Sequence, residues 1–259
     1  MNGTDGSIVS RAAFAVESRK TVASRVVVTT TVLLVVGICL LAGSLTFAAA
    51  GGNEQVLAQL GPLADKTGWP RMLGVVAQIT AAGALLGFGV VLSWMFGREF
   101  TDGTITGLFA LPVTRRAFAL AKLAVYLLWA ITVATVLVLL LGIAGLALNL
   151  GPIDNDVLVA LARQHILTVL SAGLAVPAAW AATLGRGLLP GIATTIGIIV
   201  TAQVMVVAGT GAWFPLAAPA LWAIQPTDVT FTQLALAALV PVAFGATTIA
   251  TWRRLQLDH

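Results

Sequence analysis

Charged residues are scarce in this chain. Only 9% of its 259 residues are Asp, Glu, Lys or Arg, whereas 59% are hydrophobic. An ordinary soluble domain has about 25% charged residues, and a water-facing surface cannot be built from so few charges as this chain has. The composition therefore excludes a soluble globular protein. The length suits one membrane domain with short loops, which we place at residues 1–259.

Residue types that carry catalysis are scarce as well. The chain has two histidines, so it has no HExxH motif, and it contains no GxSxG sequence. Its one cysteine, Cys39, excludes a disulfide within the chain. None of its three lysines belongs to a GxxxxGK[ST] phosphate-binding loop. We therefore expect a protein that is not an enzyme and that binds no metal or cofactor of its own. The energy for any active transport must then come from another polypeptide.

Six apolar runs account for most of the chain. Each is close to the ~20 residues with which a helix crosses a bilayer. They are Val26–Ala48, Met72–Phe96, Leu123–Leu148, Ile166–Leu184, Leu188–Gly209 and Leu234–Trp252. Since lipid cannot satisfy bare backbone groups, these runs predict an all-α, polytopic six-span bundle over residues 26–252. Pro177 and Pro241 fall inside runs, where proline kinks or interrupts a helix.

The positions of the basic residues predict the orientation. Six spans place eleven of the fourteen Lys and Arg residues on one side. The other side receives only Lys66, Arg71 and Arg163, while the ten acidic residues divide equally. Short cytoplasmic loops carry the excess of Lys and Arg. We therefore expect a multi-pass protein of the cell membrane with a cytoplasmic N-terminal segment (1–25) and a cytoplasmic tail (253–259).

Two segments outside the runs also have a predicted structure. Residues 11–25 resemble an amphipathic helix that lies on the cytoplasmic surface. The outer connection over residues 210–231 is long, apolar and rich in proline, which makes it a candidate for a re-entrant segment before the sixth span.

The connection between the second and third runs mixes charges with apolar residues. Thr101 or Asp102 is placed to cap a short amphipathic helix over residues 103–110, and Pro112 ends it. Thr114 is placed to cap the next helix, which continues into the third run. Lys122 is expected to mark the membrane edge by extending its ammonium group to the surface. The result is a short helix held beside the membrane, where a partner protein can dock.

The same connection carries a family resemblance. Glu99, the Gly103-Thr104 pair, the Pro112-Val113-Thr114-Arg115 step and Lys122 resemble the motif that permeases of type 2 ABC exporters carry between their second and third spans. Glu17 and Lys20, on the N-terminal helix, match a Glu-x-x-Lys of the same family. The six spans and the apolar outer segment match too, so the resemblance covers the whole chain.

The resemblance implies a partner and a set of site residues. Such a permease pairs with a second, identical or homologous permease subunit, and the pair works with two ABC ATP-binding subunits that hold ATP and Mg²⁺. The loop after the second span forms a coupling helix that sits in a groove of the ATPase. The residues implied for this coupling are Glu99, Phe100, Asp102, Gly103, Thr104, Leu108, Pro112 and Arg115, with Glu17 and Lys20 on the surface helix.

Three functions are compatible with these features. The first is an exporter permease that forms the path for an amphipathic or hydrophobic substrate, such as a drug, an antimicrobial peptide or a lipid, and that a separate ATPase drives. The second is a membrane-embedded accessory or sensor protein without transport activity. The third is an ion-coupled carrier. Such carriers keep ionisable groups at membrane depth, and the near absence of charged residues at the centres of the predicted spans argues against this function.

The predicted orientation can be tested by cysteine labelling in a Cys39→Ala background. A membrane-impermeant maleimide should label Lys66→Cys in intact cells, and Thr104→Cys only after the membrane is opened, because positions 66 and 104 lie on opposite sides. Labelling of Thr104→Cys from outside would contradict both the orientation and the coupling role.

Overall fold

A computed structural model describes residues 3–105, 107 and 114–255, with side chains from Arg11 onward. Its regular elements in these ranges are helical. Six helices are long and apolar enough to cross a membrane, which confirms the predicted fold class. They are numbered here as the first to sixth spans: Arg25–Ala50, Gly68–Thr101, Arg115–Ala147, Asn155–Leu184, Leu188–Val207 and Phe231–Arg254.

Five of the six spans are longer than the apolar runs from which they were predicted, and the fifth ends two residues before its run does. The second span begins at Gly68 and continues to Thr101, and the third begins at Arg115. With 33 residues the third helix is about 50 Å long, whereas the hydrocarbon core of a bilayer is about 30 Å thick. The charged ends of the second and third spans are therefore helical and pack against the bundle.

Three local features interrupt regular α-helix within the described spans. π-helical turns occupy Leu33–Gly37 in the first span and Thr80–Ala84 in the second. The fourth span is interrupted after Leu174 and resumes at Pro177, as predicted for this proline. The helix around Pro241, by contrast, continues without a break.

Two helical segments flank the first span. The N-terminal helix, Gly3–Val22, lies against the third span, and Ser24 caps the first span after it. The short helix Glu54–Leu60 follows the first span. The expected N-terminal helix is thus present, although its buried side carries Glu17 and Thr21 as well as Ala13.

The connection between the fifth and sixth spans, which was predicted to lie on the outer side, consists of short helices. They are Gly211–Trp213, Ala218–Ile224 and Pro226–Asp228. The middle one packs against the second and fourth spans. A re-entrant position for this connection stays a prediction.

The second and fourth spans form the interior of the bundle. In the most apolar 18-residue stretch of each span, 56% of the residues are buried in the second span and 72% in the fourth, compared with 17% in the fifth and in the sixth. The fifth span approaches the second closely. At Gly97 an added Cβ would lie 2.6 Å from the carbonyl carbon of Gly187, in the turn between the fourth and fifth spans. This glycine therefore lets the turn rest against the end of the second span.

We predict that Gly97→Ala destabilises the protein. The added methyl meets backbone atoms that cannot rotate away, and overpacking of this kind costs about 1–3 kcal/mol. The melting temperature in detergent should fall by about 2–12 °C. Gly142→Ala is the matched control, since an added Cβ at this glycine of the third span meets nothing within 4 Å. Equal melting temperatures for the two variants would contradict the close approach.

Candidate functional site

Four charged side chains from three elements meet at one end of the bundle. We call Glu17, Lys20, Glu99 and Lys122 the four-charge cluster. The Lys122 ammonium lies 2.8 Å from a carboxylate oxygen of Glu17 and 2.8 Å from one of Glu99. The Lys20 ammonium lies 3.1 Å from each of the same two carboxylates. Each cation thus bridges both acids, and the formal charges sum to zero.

Burial explains why this balance is needed. The side chains of Glu99 and Lys122 are each 1% exposed, and that of Glu17 is 3% exposed. A buried charge without a partner is very costly, and removing one partner of a buried pair typically costs about 3–5 kcal/mol. Each of these charges is therefore tolerated only while the others stay in place.

Local structure brings the four residues together. Glu17 and Lys20 are three residues apart and share one side of the N-terminal helix. Glu99 lies in the last turn of the second span, and Lys122 lies about two turns into the third. The cluster therefore joins the N-terminal helix to the ends of two spans.

The expected surface position of Lys122 was wrong. Its ammonium does not reach for the membrane surface, because two carboxylates inside the protein hold it. Lys20 is the most accessible member, with a side chain 28% exposed. Burial alone would lower the pKa of Lys20, but the carboxylates of Glu17 and Glu99 outweigh it and raise that pKa above its usual value. Lys20 thus remains a cation at neutral pH.

Thr104 connects the cluster to the loop that follows the second span. Its hydroxyl donates a hydrogen bond of 2.6 Å to the second carboxylate oxygen of Glu99. The chain turns between these residues at Gly103, whose φ of +65° is a conformation that favours glycine. The side chain of Thr104 is thereby fixed to the end of the second span, although most of this residue is exposed.

The prediction that Thr101 or Asp102 caps the loop helix was wrong. Thr101 ends the second span and Asp102 follows it, so neither begins a new helix. Asp102 instead lies 3.7 Å from the guanidinium of Arg98, one turn earlier. Gly103 also lies outside helical geometry, so a helix cannot begin there. Farther along the predicted loop helix, Ile105 and Gly107 are helical, whereas Thr106 and residues 108–110, and Pro112 after them, lie outside the described residues.

Contacts with the end of the sixth span hold both sides of the loop. Before the loop, the Phe100 ring meets the ring of buried Trp252 edge-on, with centroids 6.5 Å apart. After the loop, Thr114 caps the third span as predicted, by accepting a hydrogen bond from the Ala117 amide. Arg115 donates a hydrogen bond to the backbone carbonyl of Leu255.

The structure therefore brings eight of the ten predicted site residues to this end of the bundle. It adds Lys122, which the sequence motif contained but to which no pairing was assigned. One signal was available. Two acids and two lysines on the predicted cytoplasmic side sum to zero, and Glu17 and Lys20 have the spacing of a helical ion pair.

A large apolar cavity lies beside the cluster. Its volume is about 680 Å³, and it opens between the N-terminal helix, the first span and the third span. Valine and threonine make up most of its lining, together with Trp129, and no charged side chain lines it. The Trp129 indole donates a hydrogen bond of 2.9 Å to Thr31, so this deep tryptophan is packed within the bundle. The cavity can accept an apolar or amphipathic molecule.

Comparison with known proteins identifies the family. Residues 13–203 match the model of the ABC-2 family transporter proteins, a range that contains the four-charge cluster and the first four spans. The chain is also similar to the bacitracin transport permease protein BCRB of Bacillus licheniformis, with 36% identity over 61 residues. That alignment covers 22% of this chain and 29% of the relative. The chain is a multi-pass membrane protein that belongs to the ABC-2 transporter family, as a permease subunit of an ABC transporter.

Proposed function

We propose that this permease exports an amphipathic or hydrophobic substrate and is driven by separate ABC ATPase subunits that dock on the loop after the second span. The observation that carries the proposal is the hydrogen bond from Thr104 to Glu99. Through it the loop is joined to a buried ionic cluster, and through the cluster to two further helices.

The cluster suits the transmission of movement. Ion pairs in a low-dielectric site depend strongly on geometry, because a displaced partner leaves a buried charge uncompensated. A push on the loop therefore displaces the second span, the third span and the N-terminal helix together. A flexible surface contact would absorb the same push.

The energy for the transport cycle must come from nucleotide binding. A ligand shifts a conformational equilibrium only by its difference in affinity for the two states. In the proposed cycle ATP favours the closed ATPase pair, and the docked loops carry that preference to the permease. Two copies of the ATPase and two permease subunits complete this assembly. The spans with mostly exposed faces, the fifth and sixth, offer surface for lipid and for the second permease.

The proposed substrate class follows from the uncharged lining of the apolar cavity. The apolar cavity has hydroxyl groups and one indole but no charged lining, which suits a molecule with a large apolar part and a few polar groups. Bacitracin, named for the B. licheniformis relative, is the first compound to test.

The coupling role predicts the behaviour of Glu99→Gln. The variant keeps the shape of the side chain but leaves both lysines to share the single carboxylate of Glu17. In the complex with the ATPase we expect cargo-stimulated ATP turnover to fall by about tenfold or more. The measurement is ATP hydrolysis and ATP-dependent bacitracin uptake in inside-out vesicles.

Glu54→Gln serves as the control, because this exposed acid lies beyond the other end of the first span. Unchanged assembly and unchanged turnover in Glu99→Gln would remove the coupling role. Uptake driven by an ion gradient without ATP would favour the carrier, and an assembled complex without any cargo-dependent hydrolysis would favour the accessory protein.

Thr104 allows a finer test that leaves every charge in place. Thr104→Val removes the hydrogen bond to Glu99, and a hydrogen bond to a charged group contributes about 1.5–3 kcal/mol. We expect the amount of cargo moved per ATP hydrolysed to fall several-fold, and Thr104→Ser to restore it because serine keeps the hydroxyl. The proposed linkage would be disproved by an unchanged ratio of transport to hydrolysis in Thr104→Val.

A further inference from the structure

A buried arginine without a carboxylate partner lies at the opposite end of the bundle. Arg71 is in the first turn of the second span and is only 6% exposed. It lies 28 residues before Glu99, so about 40 Å of helix separates it from the four-charge cluster. None of the ion pairs among the described residues includes Arg71.

The hydrogen bonding of this guanidinium is incomplete. One terminal nitrogen of Arg71 donates to the backbone carbonyl of Ala64 at 2.9 Å. The Nε–H group is buried and has no partner within the described part of the chain. A guanidinium has five N–H donors, and a buried charge of this kind requires a counter-charge or further acceptors. Glu54 and Asp65, which belong to the same connection, are exposed and do not supply it.

A cavity adjoins the guanidinium. It measures about 280 Å³, and its polar lining consists of Arg71, Thr67, Gly68 and Thr46. Gly68 begins the helix that extends to Ile79, and the Thr67 side chain at the N-cap makes no capping hydrogen bond. The first amides of a helix are unsatisfied by the helix itself and carry partial positive charge. The helix start and the guanidinium therefore face one cavity with the same sign of charge.

The rest of the cavity wall is apolar. Phe47 and Leu148, from the ends of the first and third spans, line it. Phe47 is 72% exposed, so this apolar wall continues onto the surface of the protein. An anion that enters here therefore has room for an apolar group attached to it.

We propose that this cavity binds the oxyanion group of an amphipathic molecule, a phosphate or a carboxylate joined to an apolar chain. The planar guanidinium matches two oxygens of either group, and the helix start adds amide donors. The site is independent of the coupling proposal, because it depends on neither the loop after the second span nor the ATPase.

The test is calorimetric titration of the full-length protein in an uncharged detergent. The probes are dihexanoyl phosphatidate, decanoate, inorganic phosphate and dihexanoyl glycerol. The last probe has an apolar body without an anion. We expect the phosphate amphiphile, the carboxylate amphiphile or both to bind, and inorganic phosphate and the neutral glycerol to bind at least about tenfold more weakly. The stronger of the two amphiphiles identifies the preferred oxyanion.

Arg71→Gln should weaken binding of the preferred amphiphile by about tenfold or more, and Lys66→Gln, which removes an exposed cation from the same connection, should change it less than twofold. Should Arg71→Gln fail to fold, Arg71→Lys keeps the charge but loses the two-pronged geometry, and it should still weaken binding. Equal binding by wild type and the Arg71 variants, equal losses in Lys66→Gln, or equal affinity for the neutral glycerol would overturn the proposal. Strong binding of inorganic phosphate alone would overturn its amphipathic part.

Discussion

The four-charge cluster is the interaction on which the rest of this end of the bundle depends. Two carboxylates and two ammonium groups are placed so that each cation touches both acids at 2.8 or 3.1 Å. Because three of the four side chains are almost fully buried, no member can leave without exposing the others to an unfavourable environment. The positions of the N-terminal helix, the end of the second span and the start of the third are thereby fixed relative to one another. The loop after Thr101 begins from this fixed base.

The spans could be predicted from sequence because their cause is local. A run of about 20 apolar residues without charge has few other stable places than lipid, so six runs gave six helices. The helix ends were less predictable. The second span continues through Arg98 and Glu99 to Thr101, because partners inside the protein satisfy Glu99. Pro177 follows a break in its span whereas Pro241 does not interrupt its helix, and at Pro241 the ring packs against Gly173 of the fourth span. These contacts join residues that are far apart in the chain, so hydropathy cannot predict them.

The candidate site shows the same division between local and distant causes. Glu17 and Lys20 are neighbours on one helix, and Thr114 caps the third span, so both features follow from short spacings. Lys122 was assigned to the membrane edge because a lysine beside an apolar run usually extends to the surface. Its partners lie 23 and 105 residues away in the chain, and the packing of the second span and of the N-terminal helix against the third span brings them together. The family motif marked these residues without showing that they form one ionic unit.

The two ends of the second span treat charge differently, and the difference bears on what each end does. At one end Glu99 is neutralised within the chain, and its ion pairs link the second span to the N-terminal helix and the third span. At the other end Arg71 is buried to a similar degree but is left with a single carbonyl acceptor beside a cavity. A chain with so few charged residues has little reason to bury an uncompensated cation for stability, since an apolar residue of similar volume would cost less. The described residues supply no counter-charge for Arg71, and the cavity beside it has room for one from another molecule, which supports the proposed anion site.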